Sequence, residues 1–371
     1  MTACRGACGA RVAVRKIGVE EELLLVDPET GRTTAVAQHA VRAEPEVEAE
    51  LYLQQMESQT PPVSTLTEVA EELRLERQGL VDAAEAAGAA AVAVGTPVLV
   101  MDDVAFTPTD RYRRIRDEYG ELASSALACA THVHVDVTPD EAVHVVDGIG
   151  PWLPVLLALS ANSPYWQGRD TGHASWRSQL WSRWPTFGTG QPFGDRATYD
   201  EVAGRLVDWG AGLDPGMVYL PARLSPRYPT VELRVADVCT ELGDTLLLAA
   251  LARALVATTA AAPATPPVSA WRSELVRAAM WRAARYGISE QLVHPATRDL
   301  AHADEVVDAL VAHVRPALEE HDDVDAVRDL LGALRARGTG ATAQRRTFER
   351  HGDLAEVVHD LRRRTAQAAV D

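Results

Sequence analysis

The sequence predicts an α+β fold in which a mainly antiparallel sheet carries helices on one face. Three well-separated segments alternate strictly between polar and apolar residues, as half-buried strands do. Amphipathic helical segments separate them and continue almost without a break from residue 241 to the C-terminus. Sheets built from such strands place one face on a hydrophobic core and leave the other face accessible.

The first alternating segment lies within residues 12–27 and contains three consecutive glutamates. Side chains alternate between the two faces of a strand, so Glu20 and Glu22 share one face and Glu21 points to the other. Two carboxylates this close repel each other unless a cation lies between them. The segment therefore predicts either a bound cation or ordinary surface glutamates with local partners.

The second and third segments also place ionisable residues on one face and valine or leucine on the other. They span 131–137, with His132, His134 and Asp136 in register, and 229–237, with Thr230, Glu232 and Arg234 in register. Each pattern alone is common in ordinary strands. Three such faces in one chain indicate that the polar sides converge on one accessible concavity.

The convergent residues have the composition of a site for a hard cation. Carboxylates with one or two imidazoles suit Mg²⁺ or Mn²⁺ better than zinc, which prefers more histidine or cysteine. Glu57, in a predicted short strand over 54–59, is a further candidate ligand. An arginine in the same row suits a transferring phosphoryl group or a substrate carboxylate.

The remaining pattern predicts the elements around this sheet. Turn residues at 27–31 predict a hairpin with a partner strand at 32–37, and Thr65 with Glu68 predicts a capping box. Segment 161–197 is a long loop with four tryptophans, which we interpret as a packing cluster. Further strands are predicted at 91–100 and 218–224, and helices at 66–90, 109–128, 139–160 (capped by Thr138), 199–210 (capped by Thr198), 242–260, 269–285, 303–319, 323–336 and 352–368.

Composition excludes several classes of protein. The chain has 371 residues, 47% of them hydrophobic, and a net charge of −17, so no global basic field favours nucleic acid. Its four cysteines form no paired CxxC motif, and we find neither a secretory signal nor an uninterrupted membrane-spanning apolar run. We predict a soluble, cytoplasmic protein with no membrane partner, a disordered leader at 1–14 and one catalytic domain at 15–371.

Taken together, the motifs resemble the bacterial carboxylate–amine ligase family, also called glutamate–cysteine ligase type 2-like. No P-loop, Rossmann fingerprint or GxSxG elbow competes with that resemblance. It extends from about residue 16 to the C-terminal helices. The matching motifs are Gly18-x-Glu20-x-Glu22, the His-Val-His-Val strand at 132–135, Ser163-Pro-Tyr165, Ala174-Ser-x-Arg177, Thr230-Val-Glu-x-Arg-Val-x-Asp237 and Arg285-Tyr-Gly287.

The resemblance implies a curved, funnel-like sheet related to that of glutamine synthetase, with helices outside. It implies that ATP phosphorylates a carboxylate, such as the γ-carboxylate of glutamate, and that an amino-acid amine, cysteine foremost, then forms an amide. By motif position, the resemblance implies that the metal ligands are Glu20, Glu22, Glu57, His134 and Glu232. It implies that the nucleotide is contacted by His132, His134 and Arg234. The implied catalytic residues are Arg234, Glu232 and Arg177, and Arg177 would bind a substrate carboxylate or phosphate.

Two alternatives to a ligase stay open at the level of sequence. A small-molecule kinase of the same superfamily would use the same sheet but leave a phosphorylated acceptor. A non-catalytic homologue would keep the fold and bind a metal or a nucleotide without turning over a substrate. The resemblance also suggests Mg²⁺ or Mn²⁺ as cofactor and, by analogy only, a homodimer.

Overall fold

A computed structural model describes residues 14–44, 46–101, 103–188, 191–263 and 271–370. All but the last residue of the predicted leader at 1–14 lie outside this described part of the chain. The predicted α+β class is confirmed. The strands are β1 Ile17–Val26, β2 Glu48–Ala49, β3 Gln55–Gln59, β4 Ala90–Val92, β5 Ala130–Asp136, β6 Tyr165–Trp166, β7 Arg169–Asp170, β8 Ala222–Leu224, β9 Thr230–Asp237, β10 Gln291–Val293 and β11 Leu300–His302.

Helices make up most of the remainder. They are α1 Ala37–Ala43, α2 Leu66–Ala86, α3 Asp110–Tyr119, α4 Glu121–Ser124, α5 Ala142–Ile149, α6 Leu153–Ser160, α7 Trp176–Trp181, α8 Arg196–Asp208, α9 Leu242–Ala261, α10 Ser273–Tyr286, α11 Ala303–Glu320, α12 Val324–Arg337, α13 Gly340–His351 and α14 Leu354–Val370. Short 3₁₀ turns cover Gly150–Trp152 and Pro215–Met217.

One antiparallel sheet carries the three alternating segments as its central strands. Its strand order is β2-β3-β1-β5-β9-β8, and β4 also pairs with β1. Glu20 pairs with His132, Glu22 with Glu57, and His134 with Glu232. The register thus places the ionisable residues of four neighbouring strands side by side on one face.

The apolar sides of the same strands form the floor of the main core. Val19, Val133, Val135, Val231 and Leu233 are all at most 3% exposed and belong to one buried cluster. Helices α2, α6, α9 and α14 pack against strands of this sheet. Helices on one face and ionisable residues on the other follow directly from the period-two alternation.

Several predicted elements are shorter than expected or take another form. No partner strand forms at 32–37, where a single bridge joins Val26 to Thr33 before α1 begins. The strand predicted at 91–100 is only β4. Gly120, with φ of 50°, divides the helix predicted at 109–128, and the 3₁₀ turn that contains Pro151 divides the one predicted at 139–160.

Two predicted N-caps are wrong, and several elements were missed. Asp195 caps α8 instead of Thr198, and α5 begins at Ala142 with Glu141 at its N-cap instead of Thr138. The capping box of Thr65 and Glu68 is confirmed. Helices α7 and α13 and the hairpin β10–β11 were not predicted.

Two helical stretches, Ala142–Ser160 and Leu242–Ala261, are long and apolar enough to span a membrane, but they are 67% and 72% buried inside the protein.

Candidate active site

The centre of the polar face is a cluster of one imidazole and two carboxylates. Ligand atoms of Glu20, His132 and Glu232 all lie within 4.8 Å of one another. His132 Nδ1 is 2.9 Å from Glu20 Oε2, while His132 Nε2 is buried without a hydrogen-bond partner among the described residues. A lone pair and two carboxylates in this arrangement match the donor set of a divalent cation.

The protonation states of this cluster suit cation binding. Burial, together with the charge of Arg234, lowers the pKa of His132 to about 4, so its imidazole is neutral near pH 7. Burial would raise the pKa of Glu20, but the adjacent His132 and His134 hold it well below its ordinary value. Because Glu20 is ionised, the Nδ1–H of His132 donates a hydrogen bond to Glu20, which leaves the lone pair of the ring on Nε2.

The second histidine extends the cluster toward one end of the sheet. His134 Nε2 lies 3.1 Å from Glu20 Oε1, and its Nδ1 lies 2.9 Å from Thr230 Oγ1. Its ring stands edge-to-face with Tyr228, with ring centroids 6.1 Å apart. His134 therefore connects Glu20 with the turn between β8 and β9.

Glu232 is held between two arginines. Arg223 Nε donates to Glu232 Oε2 at 2.8 Å, and Arg234 Nη1 donates to Glu232 Oε1. Burial would raise the pKa of Glu232, but the two guanidinium groups hold it far below its ordinary value. Arg223 also donates to the carbonyls of Gly216 and Val218, at 2.7 and 3.1 Å, and is thereby fixed in place. Sequence reasoning missed Arg223, although it lies directly opposite Glu232 on β8.

Three carboxylates crowd the opposite end of the face. Glu22 and Glu57 are partners across β1 and β3, and Glu57 also has a hydrogen bond to Glu50. Burial and the charge of Glu50 raise the pKa of Glu22 to about 8, although Arg177 and Arg234 oppose this. Burial and the same neighbouring carboxylate raise the pKa of Glu57 well above its ordinary value. Such a cluster gains most from a cation, and Glu50 is a member that the sequence did not reveal.

Arg177 reaches the face from α7, the helix inside the tryptophan-rich segment. Its side chain is buried and donates to the carbonyl of Arg234 at 3.2 Å, while its Nε has no hydrogen-bond partner in the described structure. Burial lowers the pKa of Arg177, and the charges of Asp237 and Glu22 oppose that change. A partly unsatisfied buried guanidinium is suited to an anionic group.

Asp237 at the end of β9 explains why Arg177 stands there. It accepts hydrogen bonds from the hydroxyls of Ser163 and Ser175, both at 2.7 Å, and from the backbone N–H of Asn162 at 2.9 Å. The Ser163 hydroxyl oxygen in turn accepts the Arg177 backbone N–H at 3.0 Å. The network joins both ends of the loop to the strand that carries Glu232 and Arg234.

The four tryptophans of this segment do not form the single packing cluster that the sequence predicts. Trp181 and Trp184 pack together, with ring centroids 6.0 Å apart, while Trp166 and Trp176 belong to a separate small cluster. Trp181 and Trp184 both contact Tyr219, with ring centroids 4.9 and 5.4 Å apart, and Arg177 lies 5.7 Å from the ring centroid of Trp181. Arg234 lies 6.0 Å from the ring centroid of Tyr219. The aromatic cluster therefore forms a wall beside the two arginines.

The structure brings every predicted site residue onto one face, and their predicted roles stay proposals. Glu20, His132 and Glu232 form the central cluster, and Glu21 points away, as the alternation predicts. Glu22, Glu57 and Arg177 lie at one end, and His134 at the other. The positions that sequence reasoning missed are Glu50, Arg223 and the anchoring role of Asp237.

The chain is similar to known proteins along most of its length. Residues 16–360 match the model of the glutamate–cysteine ligase family 2. A Nocardioides protein provisionally named glutamate–cysteine ligase 2-1 is 46% identical over 368 residues, covering 95% of this chain and 96% of the relative. A Streptomyces avermitilis protein with the same provisional name is 43% identical, covering 95% and 99%.

Solved structures share the fold at low sequence identity. Glutamate–cysteine ligase from Francisella tularensis, solved in complex with AMP, superposes with a TM-score of 0.69 at 13% identity and covers 96% of this chain and 89% of that one. The complex of the ubiquitin-like protein Pup with its ligase PafA gives a TM-score of 0.51 at 13% identity, covering 93% and 72%. At these identities the likeness establishes the fold alone.

Proposed function

The chain belongs to the glutamate–cysteine ligase family 2, and from that premise we propose that it is an ATP-dependent carboxylate–amine ligase of the cytoplasm. The observation that carries the proposal is the polar face itself. It combines the cluster of Glu20, His132 and Glu232 with the two guanidinium groups of Arg177 and Arg234. A transferring phosphoryl group needs fixed positive charge of this kind around its oxygens.

In the proposed reaction, a carboxylate oxygen of the acceptor, such as the γ-carboxylate of glutamate, attacks the γ-phosphorus of ATP. The bond from that phosphorus to the bridging oxygen breaks and ADP leaves. The nitrogen of an amino-acid amine, with cysteine as the first candidate, then attacks the acyl carbon. The bond from carbon to the phosphate oxygen breaks, phosphate leaves, and the nitrogen loses a proton to give the amide.

The residues of the face divide the work by position. In this proposal Arg234 neutralises the phosphoryl group, and Arg177 holds the carboxylate of the substrate. Divalent cations such as Mg²⁺ would be held by two groups of residues and would neutralise phosphate oxygens there. Glu20, His132 and Glu232 form the first group, and Glu22, Glu50 and Glu57 form the second. The buried lone pair of His132 and the raised pKa of Glu22 and Glu57 support this fit.

A phosphate-release assay on the purified full chain tests the proposal. We expect release only when ATP, Mg²⁺, glutamate and an amine from a panel of amino acids are present together, with an amide found by mass spectrometry. Glutamate labelled with ¹⁸O in its γ-carboxylate should transfer one label to inorganic phosphate. A phosphorylated acceptor would identify a kinase instead, and nucleotide binding without turnover across the panel would contradict any ligase assignment.

Matched variants connect the activity to the face. Glu232→Gln and Arg234→Ala should each lower the turnover number by about 10²- to 10³-fold or more while the protein stays folded by circular dichroism. Glu201→Gln and Arg196→Ala make the same chemical changes on the exposed helix α8 and should leave activity intact. Activity near that of the wild type in both site variants would refute the assignment.

A further inference from the structure

Tyr228 is an aromatic side chain at the rim of the polar face that the proposed chemistry does not use. It is 48% exposed, whereas Tyr219 at the aromatic wall is 8% exposed. Single exposed aromatic rings are ordinary on a protein surface, so what distinguishes Tyr228 is its ring contact with His134 of the polar face. Its place beside the site makes a bound ligand the natural candidate.

The turn that carries Tyr228 is held firmly at both ends. The Thr230 N–H donates to the Tyr228 carbonyl at 2.8 Å, and the Ser225 N–H donates to the Thr230 carbonyl at 3.0 Å. The carbonyl of Pro229 accepts the N–H of Val137 at 3.0 Å, which docks the turn onto the end of β5. Because Pro226 and Pro229 further restrict this turn, Tyr228 is positioned before any ligand arrives.

The ring of Tyr228 presents an open face. Its plane makes an angle of 86° with the ring of His134, with centroids 6.1 Å apart. In an edge-to-face pair His134 covers at most one face of the tyrosine, and the 48% exposure shows that much of the ring remains accessible. A planar group can therefore stack on Tyr228 without displacing His134.

The order of residues along the strands indicates which planar group this is. Across β1 and β5, His132 lies opposite Glu20, and His134 lies opposite Gly18. Because glycine has no side chain, β1 contributes no side chain opposite His134, the residue that contacts Tyr228. The three carboxylates and Arg177 lie at the other end of the face, where the carboxylate substrate belongs. Phosphates bound near the central cluster would thus leave the rest of a nucleotide to extend past Gly18 and His134 toward Tyr228.

We propose that Tyr228 is the stacking platform for the purine base of the nucleotide. This inference rests on the proposed use of ATP and adds the position of the base to it. Stacking needs a π-face but no particular hydrogen bonds, so an aromatic residue alone can supply much of the affinity for the base.

Binding of ADP with Mg²⁺, measured by calorimetry on the full chain, tests the platform. Tyr228→Ala should weaken binding by about 5- to 100-fold, the range of base–aromatic stacking. Tyr228→Phe should bind like the wild type because it keeps the ring. Tyr228→Trp should also bind, with indole fluorescence that ADP quenches.

Two controls separate stacking from other effects. Inorganic tripolyphosphate has no base, so it should compete with ADP on the wild type and bind Tyr228→Ala equally well. Trp209→Ala removes a 76% exposed ring after α8 and should leave ADP affinity unchanged. If Tyr228→Ala binds ADP as tightly as the wild type does, the stacking platform is refuted while the ligase proposal stands. The same conclusion follows if the variant loses as much affinity for tripolyphosphate as it loses for ADP. A wild-type protein that binds neither ligand refutes both.

Discussion

Glu21 and Glu22 are neighbours on one strand, both buried, yet their environments differ completely. Glu21 is 3% exposed and accepts two hydrogen bonds from Arg77, at 2.9 and 2.6 Å, and one from Thr245 at 2.8 Å. Glu22 is 9% exposed, accepts the N–H of Ala130 at 2.7 Å, and is close to other carboxylates.

The difference separates a carboxylate that serves the fold from one suited to a ligand. Arg77 also donates to the carbonyls of Thr240 and Cys239, both at 3.0 Å, so its pair with Glu21 ties β1 and α2 to the residues after β9. Four of the five guanidinium N–H groups of Arg77 thus have acceptors, so this buried ion pair needs no further ligand. Burial and the charge of Glu50 raise the pKa of Glu22, so its ionised form is poorly stabilised, and an arriving cation would stabilise it.

The largest expected effect compares Glu21→Gln with Glu22→Gln by chemical denaturation of the metal-free protein. Glu21→Gln leaves the buried Arg77 without a counter-charge and should lower the free energy of unfolding by about 3–5 kcal/mol. Glu22→Gln should leave it unchanged or raise it at pH 8, because it removes a poorly stabilised charge. If both variants lose the same free energy of unfolding, the distinction between a structural Glu21 and a ligand-binding Glu22 is wrong.

The next effect concerns the cation. Saturating Mg²⁺ should stabilise the wild type, by about 2.7 kcal/mol at a hundredfold excess over the dissociation constant. Thermal melts with and without Mg²⁺ measure this gain, and Glu22→Gln should reduce it while Glu201→Gln should not. A gain of the same size in Glu22→Gln would place the cation elsewhere.

Titration of Glu22 predicts how stability depends on pH. Its pKa is about 8 in the folded, metal-free protein and near 4.5 when unfolded. Between these values the folded state holds a proton that the unfolded state has lost, so the stability falls as pH rises, by up to ~1.4 kcal/mol per pH unit. The stability of the wild type minus that of Glu22→Gln, taken from denaturation midpoints from pH 5 to 8, isolates this contribution, because the shifted pKa values of His132 and Glu57 are present in both proteins. A difference that rises with pH across this range would disprove the assignment.

The smallest expected effect is a loss of stability on removal of the N-cap of α2. Thr65→Ala removes the side chain that accepts the Glu68 N–H at 3.2 Å and should cost about 1 kcal/mol of stability. Turnover should stay unchanged, because the cap does not contact the polar face. Loss of turnover without loss of stability would show that this cap is coupled to the active site.

Much of the fold and site could be predicted from sequence because strand alternation is a local signal. Residues i and i+2 share a face whatever the partner strand is, so Glu20, Glu22, His132, His134, Glu232 and Arg234 could be assigned together. Arg223 escaped notice because β8 has only three residues, too few to show alternation. Glu50 lies just after the two-residue strand β2, whose register pairs Glu48 with Glu57, so the hydrogen bond between Glu50 and Glu57 does not follow from strand pairing.

The prediction of secondary structure failed where contacts distant in sequence, or a special backbone conformation, determine the element. Helix α13 lies against the 161–177 loop, where the side-chain amide of Gln344 donates to Asn162 Oδ1 at 2.8 Å and to its carbonyl at 3.0 Å. Its sequence is polar and lacks a clear apolar stripe, so tertiary contacts fix it more than its own pattern does. The break at Gly120 follows from a left-handed backbone geometry that composition alone does not reveal.

The hydrogen bonds of Asp237 with Ser163 and Ser175 have a consequence for how much change the segment between the two serines can tolerate. Backbone bonds between Ser163 and Ala174, and between Trp176 and Ser163, close the base of the loop. Residues 164–173 thus form a cassette whose two ends are fixed independently of its contents. We expect exchange of that cassette for the corresponding segment of a relative to leave Arg177 in its place.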